Sequence, residues 1–337
     1  MKTAVIHSYN GMGDLIWHLP YIHVIAKKTK EKKVILFSKK TTNAKELLKS
    51  DPLIEKIIDL DDTRGILNNT VSFFKILNSL KKNKIKNIWI FHESIKYALA
   101  SLLARVSSRF GYGYGIQRIF LSKKKIMPEE SKNERPFEKA RIFVMSHGFK
   151  KKDIVPKFFI SKKEINKVKI KFNKHPKPWI SMSITNKARF KRWPYERFSE
   201  LIDLISNAFK GTIFVVGAPN EKKIINAVIK NSTIKKNVIN STFPIHENAV
   251  IMRDSNIFIG LDSGSYNLSA LLGTPSYGIM GASPPLHHLP TYKSIISPSG
   301  PVKNIVGADK IPRNKGMESI TAKYVFDCLK KQTNLFK

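Results

Sequence analysis

Short apolar runs and longer helix-patterned stretches alternate along this chain, and the alternation occurs twice. Strand patterns at Thr3 to Ser8, Lys33 to Ser38, Ile57 to Leu60 and Asn87 to Phe91 are interleaved with helix patterns at Leu15 to Lys28, Thr42 to Ser50, Val71 to Lys82 and Tyr97 to Val106. A second series runs through strands at Trp179 to Ile184, Thr212 to Gly217, Val238 to Asn240, Ile257 to Leu261 and Ser276 to Met280. Its helices are Tyr195 to Ala208, Glu221 to Lys230, Pro244 to Arg253 and Tyr266 to Leu272. Strands separated by helices of this length are joined by crossovers, so each series predicts a parallel sheet covered on both faces. The expected class is α/β: two Rossmann-like domains whose sheets face an interdomain cleft, with sites beyond the carboxyl ends of the strands.

The 337 residues are enough for two domains of ordinary size. The pattern weakens between Gly111 and Lys150, where a basic helix near Phe137 to Ser146 is expected, and Lys162 to Phe172 reads as a charged helix. Asn173-Lys-His-Pro-Lys-Pro178 reads as a linker, because prolines favour extended backbone before them. The expected domains are therefore 1–172 and 179–315. A final segment, 316–337, carries a helix at Thr321 to Lys331 with no strand after it, and is expected to pack back on the first domain.

Composition excludes several classes. A hydrophobic content of 42% with 10% aromatics can build cores, so disorder is not expected. Cys328 is the single cysteine, which rules out an internal disulfide and a Cys-rich zinc site. The opening residues lack the features of a signal peptide, and no run of about 18 apolar residues occurs, so a cytoplasmic location is expected. Against 25 Asp and Glu stand 60 Lys and Arg, a net charge of +35, with lysines clustered in Lys27 to Lys40, Lys81 to Lys86, Lys123 to Lys125 and Lys150 to Lys177. Such a surplus is either solvated surface or attraction to a polyanion, nucleic acid or an anionic membrane.

Four motifs carry candidate chemistry. In Gly260-Leu-Asp262-Ser263-Gly264, a strand ends in a tight turn and a helix begins at once. Free N–H groups and the positive end of the helix dipole suit a phosphate there, although Asp262 and Ser263 equally suit a helix cap. Lys191 and Arg192, before Trp193-Pro194, would either neutralise a leaving diphosphate or remain solvated. Glu221, after the strand ending near Gly217, is placed to take ribose hydroxyls or to sit in a helix first turn. Gly11-Met-Gly13-Asp14 lacks both the third glycine of a dinucleotide fingerprint and the Gly-Lys-Ser/Thr ending of a P-loop. It offers instead a carboxylate at the top of a helix, a candidate general base or a favourable N-terminal charge.

Taken in order, Gly13-Asp14 with Leu19-Pro20, Lys191-Arg-Trp-Pro194, Gly217-Ala-Pro-Asn-Glu221, Gly260-Leu-Asp262-Ser-Gly264 with Leu272-Gly273-Thr-Pro275, and Gly281-Ala-Ser283-Pro-Pro285 resemble the lipopolysaccharide heptosyltransferases of glycosyltransferase family 9. The resemblance covers nearly the whole chain and implies a GT-B fold and an inverting, metal-independent transfer of heptose from ADP-heptose to a Kdo–lipid A inner core, with no cofactor. By it, Asp14 deprotonates the acceptor hydroxyl, with Gly11, Gly13 and Arg192 on the acceptor side. Lys191 holds the diphosphate, Glu221 the ribose, and Asp262, Ser263 and Gly264 the diphosphate and sugar. Ser183 and Thr185 lie where the family places hydroxyl residues. Asn267 stands where the family usually has histidine, which removes the option of positive charge and bears on the donor sugar. His18, His287 and His288 read as structural or peripheral. The polyanionic acceptor would account for the charge, placing the protein on the cytoplasmic face of the inner membrane, with Tyr97 to Arg109 and Gly111 to Gly115 as acceptor-side elements. Three alternatives are weighed: another sugar nucleotide or acceptor, a lipopolysaccharide-binding protein without activity, and a nucleic-acid binder. Retention of Asp14, Lys191 and Glu221 speaks against the second. The third lacks any nucleic-acid module and any interleaving of aromatics with the basic runs, so no nucleic-acid partner is expected.

Overall fold

The computed structural model describes residues 1–60, 66–122, 126–302 and 315–336. The basic run Lys123 to Lys125 lies outside the described residues. Two compact units divide the chain, Met1–Phe159 and Ile160–Lys337.

The first unit runs β1 (Lys2–His7), α1 (Met12–Lys28), β2 (Val34–Lys39), α2 (Ala44–Leu47), β3 (Ile54–Leu60), α3 (Ile66–Lys82), β4 (Ile85–Phe91), α4 (Ile95–Leu103), β5 (Ser108–Gly111) and α5 (Pro136–Ser146). Its five strands are all parallel in the order β3-β2-β1-β4-β5, with Ile6 opposite Phe37 on one side and Ile90 on the other. Helices cover both faces of such a sheet, which is why β1 is buried from Thr3 to His7 with no polar alternation. The core joins Ala4, Ile6, Ile35, Phe37, Ile88 and Ile90 to Tyr97, Ala98 and Ala100 of α4. The helix expected over Thr42 to Ser50 forms only as a turn at Lys40–Thr42 and the four residues of α2. Asn43 between them takes a left-handed conformation, φ 53°, which interrupts the helix. Strand β5, at the sheet edge, was not expected.

The second unit comprises α6 (Lys162–Phe172), β6 (Trp179–Ser183), α7 (Tyr195–Ala208), β7 (Thr212–Val216), α8 (Lys222–Asn231), β8 (Val238–Ser241), α9 (Ile245–Asp254), β9 (Ile257–Leu261), α10 (Gly264–Leu271), β10 (Ser276–Met280), β11 (Tyr292–Ile296), α11 (Lys315–Glu318) and α12 (Ala322–Gln332). Its sheet is parallel, in the order β11-β10-β9-β6-β7-β8.

Two boundaries differ from expectation. Helix α6 belongs to the second unit, so the first ends at Phe159 rather than near residue 172. Val168 and Phe172 are buried, Phe172 meets the ring of Phe214 at 5.1 Å, and Lys167 pairs with Glu247 of α9 at 2.6 Å. The proline-rich stretch 173–178 is thus a connection inside the second unit. The final helix α12, expected against the first domain, is part of the second unit. It lies against α7, and Val325 and Leu329 are fully buried in the core of the second unit. The chain before α12 is pinned by a hydrogen bond that Trp193 Nε1 donates to the Ile320 carbonyl at 2.8 Å. It is pinned also by a backbone approach so close that a Cβ at Gly316 would fall 1.9 Å from the Gly281 carbonyl oxygen.

Candidate functional site

In each sheet the chain reverses its direction of winding once, and a crevice opens at that point beyond the strand ends. The reversal lies between β1 and β4 in the first unit and between β6 and β9 in the second.

At the first reversal, β1 ends at His7 and leads through Tyr9 and Gly11 into α1. Asp14 occupies the first turn of α1, half-buried, and its Oδ2 accepts a hydrogen bond from the Gly11 N–H at 2.9 Å. Gly11 and Gly13 flank it, both half-buried, and a Cβ at Gly11 would sit 3.0 Å from that same oxygen. His18, one turn on, donates from Nδ1 to the Asp14 carbonyl oxygen at 2.6 Å. Around this turn the rings of His7, Tyr9, His18, Phe91 and His92 pack edge to face, tilted or stacked, with His7 and His18 at 4.7 Å and Tyr9 and His18 at 5.0 Å. Burial removes water from these imidazoles and so disfavours their charged forms: His18 and His92 fall to about 4, and His7 lies well below its ordinary value. The same loss of water pushes the Tyr9 hydroxyl up to about 12. The Nε2 atoms of His7 and His18 are buried and have no hydrogen-bond partner among the described residues. Asp14 is therefore set among neutral imidazoles. His18 and this histidine group had read as structural or had not been singled out; the one sequence cue was a histidine closing an otherwise apolar strand.

At the second reversal, Ser183 closes β6 opposite Gly260 of β9 and is 2% exposed, while Thr185 just beyond it is half-buried. Gly260 lets the strands approach: a Cβ there would lie 2.9 Å from the Ser183 carbonyl oxygen. The turn after β9 carries Asp262 and Ser263. Ser263 caps α10, accepting from the Tyr266 N–H at 3.5 Å, and Gly264 begins the helix. Lys191, in a short turn before α7, pairs with Asp262 Oδ2 at 2.5 Å, both largely buried. Asn186, which the sequence did not single out, ties the two loops together. Its Nδ2 donates to the Asp262 carbonyl oxygen at 2.7 Å, and its own carbonyl oxygen accepts from Arg192 Nε at 2.7 Å. Arg192, grouped by sequence with Gly11 and Gly13, thus belongs to the second unit and to the Lys191 loop. The result is a lysine, a carboxylate and the N-terminus of α10 at one strand end, an arrangement suited to a diphosphate.

Two predicted residues stand off from this turn. Glu221 follows β7 and folds back so that its Oε2 accepts from the Ala218 N–H at 2.7 Å; Gly217 leaves room for it, since a Cβ there would meet Oε2 at 2.9 Å. Asn267 is 3% exposed and faces β11, where its Oδ1 accepts from the Tyr292 hydroxyl at 2.7 Å, with His288 against the same tyrosine ring at 4.8 Å. Among the described residues, no group of three or more His, Cys, Asp or Glu side chains is gathered as a metal site, and no helix is long and apolar enough to cross a membrane.

Comparison with known proteins bears on both units. The sequence model of glycosyltransferase family 9 (heptosyltransferase) matches residues 73–310, a span that includes Lys191, Glu221 and Asp262 and begins after Asp14. A lipopolysaccharide heptosyltransferase 1 from Campylobacter coli is 25% identical over 305 residues, covering 84% of this chain and 85% of that one. Among solved structures, the ADP-heptose lipopolysaccharide heptosyltransferase II of E. coli superposes with a TM-score of 0.72 at 18% identity, covering 98% of both chains. A family 9 glycosyltransferase from Veillonella parvula gives 0.73 at 17% identity over 98% of this chain and 96% of that one. The E. coli heptosyltransferase WaaC, solved with ADP-2-deoxy-2-fluoro heptose, gives 0.68 at 14% identity over 99% of this chain and all of that one. The fold of two parallel α/β sheets is that of the GT-B heptosyltransferase structures.

Proposed function

This chain belongs to glycosyltransferase family 9, and we propose that it transfers a heptose from ADP-heptose to the Kdo–lipid A inner core of lipopolysaccharide, with inversion, at the cytoplasmic face of the inner membrane. The observation that carries the reading is the Lys191–Asp262 pair beside the N-terminus of α10. A nucleoside diphosphate leaving group gains charge as the glycosidic bond breaks. Lys191, exchanging Asp262 for the diphosphate, and the N–H groups of the Ser263–Gly264 turn supply positive charge where it develops. Glu221, released from the Ala218 N–H, accepts the ribose hydroxyls. Thr185 and Ser183 contribute from the end of β6, and Asn267 acts from behind the turn by holding Tyr292.

The first unit supplies the acceptor chemistry. Asp14 takes the proton from the acceptor hydroxyl as that oxygen attacks the anomeric carbon, the bond to the diphosphate breaks, and ADP departs. A single displacement from the opposite side inverts the anomeric centre. The chain's own groups carry the leaving-group charge, so the reaction proceeds without a metal ion or cofactor.

Turnover of ADP-heptose with a Kdo–lipid A acceptor tests the assignment, and Asp14→Ala should lower kcat on the order of a hundredfold or more. Near-normal turnover by that variant removes Asp14 from the mechanism. A second reading, with a different sugar on the nucleotide, is favoured by Asn267 standing where the family usually has histidine. A panel of sugar nucleotides assayed under the same conditions distinguishes the two.

A further inference from the structure

The apolar residues of α4 do not all go into the core. Tyr97, Ala98 and Ala100 are buried against the sheet, whereas Ile95, Leu102 and Leu103 are 39%, 39% and 50% exposed on the other face. The turn Gly115–Phe120 packs beside α4 and has an exposed apolar side of its own: Gln117 and Phe120 turn inward, while Ile116 and Ile119 are 60% and 70% exposed. Five large aliphatic side chains on two neighbouring elements are thus uncovered in the first unit, a costly surface for a solvated protein to keep. Arg118 is exposed on that turn, and Arg105 is exposed just beyond the C-terminal end of α4. From Ile95 to Ser122 the sequence contains no Asp or Glu and four Lys or Arg. Apolar side chains among cations only, with no acid in the run, are complementary to a layer that is anionic at its surface and hydrocarbon beneath.

The inner face of these elements reaches the turn that carries Asp14. Tyr97 of α4 shares a 2.6 Å hydrogen bond with Ser8, at the end of β1, and Gln117 donates to the carbonyl oxygens of His92 at 2.8 Å and Ser94 at 3.2 Å. We propose that the outer face of α4 and the Gly115–Phe120 turn is an interfacial membrane anchor, whose aliphatic residues enter the lipid of an anionic bilayer while Arg105 and Arg118 meet its headgroups. Docking there brings the headgroup layer to the acceptor side of the first unit. The proposal rests on the reading above only in that the acceptor is lipid-borne; the anchor itself is a property of this surface.

The full-length chain is tested with vesicles of phosphatidylglycerol and phosphatidylcholine carrying brominated acyl chains, in about 0.5 M salt, where the Debye length shrinks to roughly 4 Å and the net charge alone no longer holds the protein. Ile119→Trp should be quenched by the brominated lipid, while Ile170→Trp, at a 74% exposed position on α6 of the second unit, should not. The pair Ile116→Ser with Ile119→Ser should weaken vesicle partitioning about tenfold or more at that salt. Equal quenching at both positions, no quenching at either, or partitioning unaffected by the serine pair overturns the anchor. So does concentration-dependent self-association that the serine pair abolishes with vesicle binding unchanged, since a second copy then covers this face. Transfer to a lipid-free acceptor separates the two readings. The serine pair should retain it while losing transfer to vesicle-borne acceptor, whereas failure of the unsubstituted chain on every acceptor defeats the heptosyltransferase reading and leaves the quenching result standing.

Discussion

His18 and His92 are held neutral because burial, full for His18 and partial for His92, takes water from their rings, and that has a consequence in acid. The unfolded chain takes up protons at these imidazoles near their ordinary value of 6.5, whereas the folded chain resists until about 4. Below about 6.5 the unfolded state therefore binds more protons, and stability falls as the pH drops toward 4 and then levels off. Between pH 7 and pH 5 the loss is about 2 kcal/mol per histidine. Urea midpoints at the two pH values measure it. His18→Asn, which keeps a donor for the Asp14 carbonyl, should flatten the dependence; an unchanged slope would show that His18 protonates freely in the folded protein. At this scale, Asp14 and Asp262 stand out in the sequence as acids beside glycines near strand ends, and Lys191 as a basic residue ahead of Trp193-Pro194 and a helix. His7, His92 and Asn186 were not, since their roles come from what surrounds them in space and nothing in their sequence neighbourhoods marks them.

The elements themselves follow local periodicity closely. Helix α7 and strand β9 span the residues that their apolar spacing predicted, Tyr195–Ala208 and Ile257–Leu261. The strands that escaped, β5 and β11, are short edge strands with arginine or lysine among their residues, so that pairing on one side, more than composition, makes them strands. Helix α12 shows the complementary limit. Its spacing announces a buried face and leaves the partner open. Since Leu329 is fully buried against the core of the second unit, Leu329→Ala should cost about 2–5 kcal/mol of stability, seen as an earlier unfolding transition. A shift indistinguishable from zero would mean that α12 is not part of that core.

Over the whole molecule, a surplus of 35 positive charges repels itself most in the compact state. Raising the salt from low to about 0.5 M shortens the Debye length and should raise the melting temperature, in contrast to a chain stabilised mainly by surface ion pairs. Differential scanning calorimetry across that range gives the sign. Alternation of strand and helix patterns was enough, read along the chain, to establish two parallel α/β sheets, because crossover spacing and apolar periodicity are local quantities. Tertiary structure alone decided which strands are neighbours, and hence that β1 with β4 and β6 with β9 open the crevices where the candidate residues gather. It also brought Lys191 to Asp262 across 71 residues and gave α6 and α12 to the second unit. The physical reason is the same in each case: an apolar stripe or a lone charge states that it needs a partner, and only the packed chain supplies one.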